Sequence, residues 1–97
     1  MIDIQFTWDE NKNKVNLKKH KVSFEEAKAV FLDDNAQMIY DPDYSKNEDR
    51  FVLLGMSMRL RILVVCHCYR ENDKIIRIIS ARKAAKKEKK QYYAKRI

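Results

Sequence analysis

The second half of the chain carries three strand-like segments separated by only a few polar residues, and that spacing leaves little choice of architecture. Residues 50–56 and 60–69 are rich in Val, Leu and Ile and meet near Ser57-Met58-Arg59. Residues 74–81 follow the turn-like Glu71-Asn72-Asp73, and a shorter signal at 37–40 stops at Asp41-Pro42-Asp43, which opens a loop reaching Asp49. Connections this short favour hairpins over parallel crossovers, so the four segments are expected as an antiparallel meander.

The first half supplies helices. Ile2, Ile4 and Phe6 alternate with polar residues as in a short half-buried strand. Asp9 then caps a helix over 10–20 whose apolar side is Val15, Leu17 and Trp8. Ser23, with Glu26 three residues on, reads as a capping box for a short second helix through Ala27, Val30 and Phe31, ending near Asp33-Asp34. Residues 84–95 return to helical composition. The order β-α-α-β-β-β-β-α predicts an α+β fold, an antiparallel sheet with helices packed on one face. A chain of 97 residues suits a single domain, 1–97.

Several classes are disfavoured. The apolar runs are too short to span a bilayer, and Met1–Gln5 lacks a basic leader and an apolar core, so a cytoplasmic protein with no membrane partner is expected. Gly55 is the sole glycine, which excludes a phosphate-binding glycine loop. Cys66 and Cys68 read as buried free thiols of a reducing compartment. Cys66-His67-Cys68 resembles a metal motif, but neighbouring strand residues point to opposite faces, so neither metal nor cofactor is expected. Trp8 reads as a core anchor and His20 as a favourable positive charge at a helix end.

Charge points toward a partner. The net charge is +7, and residues 82–97 hold eight positives against Glu88 alone, leaving 13 charges of each sign in residues 1–81. The whole excess lies at one end, as expected of a chain that contacts a polyanion. Beside that end, His67, Arg70, Arg77 and Arg82 interrupt apolar strands. Leu63, Val65, His67 and Tyr69 form one row; Cys66, Cys68 and Arg70 form the other. A loop of 71–73 would set His67 opposite Arg77, and a two-residue loop would shift the pairing by one; the sequence leaves both open. Metal-free RNA cleavage needs a 2′-hydroxyl deprotonated, a charged phosphorane stabilised and the 5′-oxygen protonated. Arginine suits the second task, because its planar fork meets two phosphate oxygens. Histidine suits proton transfer, with Glu71 or Glu88 as substitutes where burial raises a carboxyl. Residues alone support a basic α+β domain contacting RNA or DNA. A non-enzymatic nucleic-acid-binding or regulatory module, or a basic helix docking an acidic partner, remain open at that level.

Three stretches resemble the BrnT family of type II toxin–antitoxin pairs: Phe6-Thr7-Trp8-Asp9-Glu10-Asn11-Lys12 with Asn16, Lys19 and His20; Val22-Ser23-Phe24-Glu25-Glu26-Ala27 with Val30-Phe31; and Arg77-Ile78-Ile79-Ser80-Ala81-Arg82-Lys83-Ala84 with Glu88 and Tyr92. The resemblance implies a RelE-like fold and a ribonuclease that arrests growth. It also implies a BrnA antitoxin that neutralises the toxin and brings the complex to operator DNA. On the family's basic active-site positions stand Arg70, Arg77 and Arg82, with His67 beside them. Arg70 and Arg82 are then expected to clamp the scissile phosphate, with Arg77 in support and His67 moving protons. Lys83, Lys86 and Lys87 should guide the RNA backbone, and Tyr92 or Tyr93 either stacks on a base or belongs to the core. Lys21 stands where most relatives carry glycine, in place of the residue best suited to a left-handed helix cap.

Overall fold

The computed structural model describes residues 4–41 and 49–95. Ile2, the turn after Asp41, the carboxylate of Glu48 and the charge of Arg96 lie outside the described residues. The elements are β1 (Gln5–Thr7), α1 (Glu10–His20), α2 (Phe24–Lys28) continued by a 3-10 turn (Ala29–Leu32), β2 (Gln37–Ile39), β3 (Arg50–Met56), β4 (Ile62–Arg70), β5 (Ile75–Lys83) and α3 (Lys86–Ala94). Among the described residues they build a five-stranded sheet in the order β1-β5-β4-β3-β2. The α+β class and the meander from β2 to β5 stand as expected.

Local chemistry accounts for the helix ends. Asp9 accepts from the backbone N–H groups of Asn11 (2.8 Å) and Lys12, which closes the first turn of α1. At the other end Lys21 takes the left-handed conformation at φ 62° and donates its N–H to the Leu17 carbonyl. A lysine there costs about 1 kcal/mol that glycine would not. Ser23 Oγ accepts from the Glu26 N–H at 3.0 Å, but the return half of the capping box is missing. The Glu26 carboxylate instead accepts from the Ser57 hydroxyl and the Arg61 guanidinium. A charge-assisted fork outcompetes a single N–H, and it ties the β3–β4 turn to the start of α2.

Two features depart from the expected sheet. β1 pairs with β5 in parallel, Phe6 beside Ile76, so the sheet is mixed. The helices also do not share one face. Phe24, Ala27 and Val30 pack on Leu53, Leu63, Val65, Ile76, Ile78 and Ala81, whereas Tyr92 of α3 and Ala84 pack on Val52, Leu54, Ile62 and Val64. In β4 these two sets alternate, so α3 covers part of the reverse face. Both faces must be covered because residues 62–68 are buried throughout.

Pairing between β4 and β5 contains one irregularity. Cys66 stands opposite Ser80 and His67 opposite Ile78, which leaves Ile79 as an extra residue. Side-chain parity changes there. Ile76, Ile78 and Ala81 all face α1 and α2, while Arg77, Ser80 and Arg82 all face the reverse side. In an unbroken strand Arg77 and Arg82, five residues apart, would point to opposite faces.

A cationic cleft on the reverse face

On the reverse face the buried side chains of Cys66 and Cys68 stand among arginines. Cys68 lies between Arg50 of β3 and Arg77 of β5, all three in register. Arg70 stands one row outward, opposite Ile75. Cys66 and Ser80 form the next row inward, followed by Arg82. Among the described residues, Arg50, Arg70 and Arg77 have no ion-pair partner. Arg50 joins the group only through pairing across β3 and β4, which no local sequence signal shows.

Arg82 is held differently. Its Nη1 and Nη2 donate to Glu88 Oε1 (2.8 Å) and Oε2 (2.9 Å), and Nη2 also reaches Asp41 Oδ2 at 3.2 Å. The three side chains are only partly exposed, Asp41 least. Hydrogen bonding from Glu88 raises the Arg82 pKa above its ordinary value, and the Arg82 bonds hold the Glu88 carboxyl below its own. Glu88 is therefore a firm carboxylate, contrary to the expectation that burial raises it. Asp49 and Asp73, which flank the arginine strands, form no ion pair with an arginine among the described residues. Asp41 takes that role, unforeseen because it lies 41 residues away in sequence.

Two expected site residues are elsewhere. His67 faces α1 and α2, opposite Ile78 rather than Arg77, because the turn after β4 spans four residues, 71–74. It is fully buried, with its ring edge-on to Phe31 at 4.8 Å. Its Nδ1 donates to the Val65 carbonyl (3.2 Å), and Nε2 accepts from the Tyr69 hydroxyl (3.3 Å). Burial lowers its pKa. It does not reach the cleft. Tyr92 is 1% exposed and its hydroxyl donates to Asp33 Oδ2 at 2.7 Å, so its ring is core and has no face to offer a base. Lys83, Lys86 and Lys87 are exposed. Tyr93 is half-exposed and lines a recess with Lys83, Lys89 and Arg61.

One border of the cleft comes from α1. Because β1 pairs only with residues 75–77, the rest of the outer edge of β5 lies against α1. There Asn16 Nδ2 donates to the Ala81 carbonyl (2.8 Å) and Oδ1 accepts from the Ala81 N–H (3.1 Å), replacing a missing strand. Alongside, Lys12, Asn16, Lys19 and His20 line a groove whose other wall is Ile79 and Ser80. Ser80 also stands in the reverse-face row with Cys66, so it borders both the groove and the arginine cluster.

Among the described residues no three His, Cys, Asp or Glu groups stand together as a metal site requires. Cys66 and Cys68 share the reverse face as free thiols, with His67 on the other. No helix among them is long and apolar enough to cross a membrane.

Fold and charge together define a small, basic α+β domain with arginines gathered on one sheet face. The chain belongs to the BrnT family: the model for the ribonuclease toxin BrnT of type II toxin–antitoxin systems matches residues 8–88. It is similar in fold to the crystal structure of the Brucella abortus ribonuclease toxin BrnT, with a TM-score of 0.66. That likeness covers 86% of this chain and 99% of the other at 22% sequence identity. No match is found among curated protein sequences.

Proposed function

We propose that this chain is a metal-independent endoribonuclease toxin that acts in the cytoplasm and is neutralised by a BrnA-like antitoxin, which brings the complex to operator DNA. Family membership supports the ribonuclease class. The observation that carries the site is the alignment of Arg50, Arg70 and Arg77 on one sheet face, unpaired with carboxylates among the described residues. Arginines with no carboxylate partner among the described residues retain their donors for phosphate oxygens, and none loses its charge near neutral pH.

In this reading single-stranded RNA crosses the reverse face with one phosphodiester over Cys66, Cys68 and Ser80. The 2′-hydroxyl attacks its own phosphorus, and Arg70 and Arg77 stabilise the charge that builds on the phosphorane, with Arg50 opposite. Each such donor is worth on the order of a hundredfold in rate. Arg82 already donates to two carboxylates, so its task is to hold the start of α3 and Asp41 around the cleft. Lys83, Lys86 and Lys87 guide the flanking backbone.

The test is cleavage of an RNA oligonucleotide by purified protein in EDTA. Wild type should cleave, and Arg70→Ala/Arg77→Ala should be slower by about a thousandfold and should not arrest growth when expressed without the antitoxin. Equal activity in that variant removes the site. Loss of activity in EDTA removes metal independence. Tight binding of a defined DNA site by this chain alone, with RNA intact, would favour a regulatory module instead.

A further inference from the structure

The groove between α1 and β5 contains a histidine that the arginine cleft leaves unused. His20 is the last residue of α1 and shares the groove with Lys12, Lys19, Asn16, Ile79 and Ser80. No carboxylate is among the lining residues. Ser80 lines the groove and stands between Arg77 and Arg82 on the reverse face, so the groove borders the arginine cluster. We propose that His20 is the proton acceptor for RNA cleavage, placed at the α1 border of the cleft to take the proton of the attacking 2′-hydroxyl. This rests on the ribonuclease reading above.

The surroundings suit that task. The groups facing His20 are Lys12 and Lys19 on its own helix and Arg82 on β5, all cationic. Burial, followed by the charges of Lys19 and Arg82, lowers its pKa, so the imidazole is neutral and basic at neutral pH. Lys12 and Lys19 also attract the phosphate. Once a phosphodiester is bound, its negative charge offsets theirs and raises the proton affinity of His20 when the proton must move. O2′ forms a bond to phosphorus and its proton passes to the imidazole; the P–O5′ bond breaks and O5′ takes a proton from water. The hydroxide left behind is neutralised by the imidazolium proton. The products are a 2′,3′-cyclic phosphate and a 5′-hydroxyl.

The experiment is a pH profile of RNA cleavage by wild type and His20→Gln, with product ends identified. Wild-type kcat should fall as pH drops below about 6.5, leaving 2′,3′-cyclic phosphate ends. His20→Gln should lower kcat about a hundredfold, change KM less than about threefold and abolish the acid limb. A residue that only supports the fold would not erase that limb. An unchanged rate and limb in a folded His20→Gln protein overturn the proposal and leave the ribonuclease reading intact. A wild type that cleaves no RNA overturns that reading first. A second measurement needs no variant: NMR titration of the His20 ring with and without a non-cleavable 2′-O-methyl RNA. Binding should raise the pKa of this ring, and a ring that ignores bound RNA overturns the proposal.

Discussion

The Arg82 guanidinium and the Glu88 carboxylate meet fork to fork, through Nη1–Oε1 at 2.8 Å and Nη2–Oε2 at 2.9 Å. The same carboxylate accepts from the Ala85 N–H at 2.8 Å, so one contact joins the end of β5 to the first turn of α3. Arg82→Ala should lower unfolding free energy by about 2 kcal/mol in urea titrations, and Arg82→Lys should recover less than half, since an ammonium lacks the fork. The pH dependence follows from the lowered Glu88 pKa. Its contribution is complete above the unfolded value, about 4.3, and is lost as pH falls through the lower folded value. Glu88→Gln should flatten that loss.

His67 should matter to stability rather than to RNA cleavage. Its ring is buried against Phe31 on the face opposite the cleft. Because its folded pKa is lowered, the unfolded chain binds the proton first, and stability should decline as pH falls below about 6.5. His67→Gln should remove that decline between about pH 6.5 and 5 while cleavage, measured where the variant is folded, stays within about threefold. A thousandfold loss in folded protein would return His67 to the site.

Asn16 should be among the costliest polar residues to replace. Its amide donates to Val22 and Ala81 carbonyls, each at 2.8 Å, and accepts from the Ala81 N–H. Asn16→Leu leaves those backbone groups buried without partners, and a loss of about 3 kcal/mol is expected by urea denaturation. Hydrogen exchange at the Ala81 amide should accelerate most. Slow exchange there in the variant would show that α1 does not guard the edge.

RNA affinity should be steeply salt-dependent. Lys83, Lys86 and Lys87 are exposed and leave the sheet beside the cleft. Changing all three to Gln should reduce the slope of log K against log salt by about 2, near 0.7 per single-strand phosphate contact. An unchanged slope would place the backbone elsewhere.

Much of the fold was legible. The apolar run over 50–56 is β3 with the bounds the pattern suggests, and Asp9 and Ser23 cap helices where expected. These signals are local: one residue type satisfies one backbone group or fills one face. The sequence leaves Tyr92 between base stacking and the core, because an aromatic on a basic helix looks the same whether it faces solvent or Val52 and Leu54. Asp41 and Arg50 escaped notice because their neighbours come from other strands.

The amino-acid pattern by itself determined the order of elements, the meander and the crowding of positive charge at one end, since periodicity, turn chemistry and composition are properties of short stretches. Tertiary structure alone decided which charges work together. The extra residue at Ile79 turns Arg77 and Arg82 to one face, and the four-residue turn sends His67 to the other. Strand parity has a period of two, so a single inserted residue in the pairing reverses every side chain beyond it. That insertion belongs to the pairing of β4 with β5, which no single stretch of sequence contains.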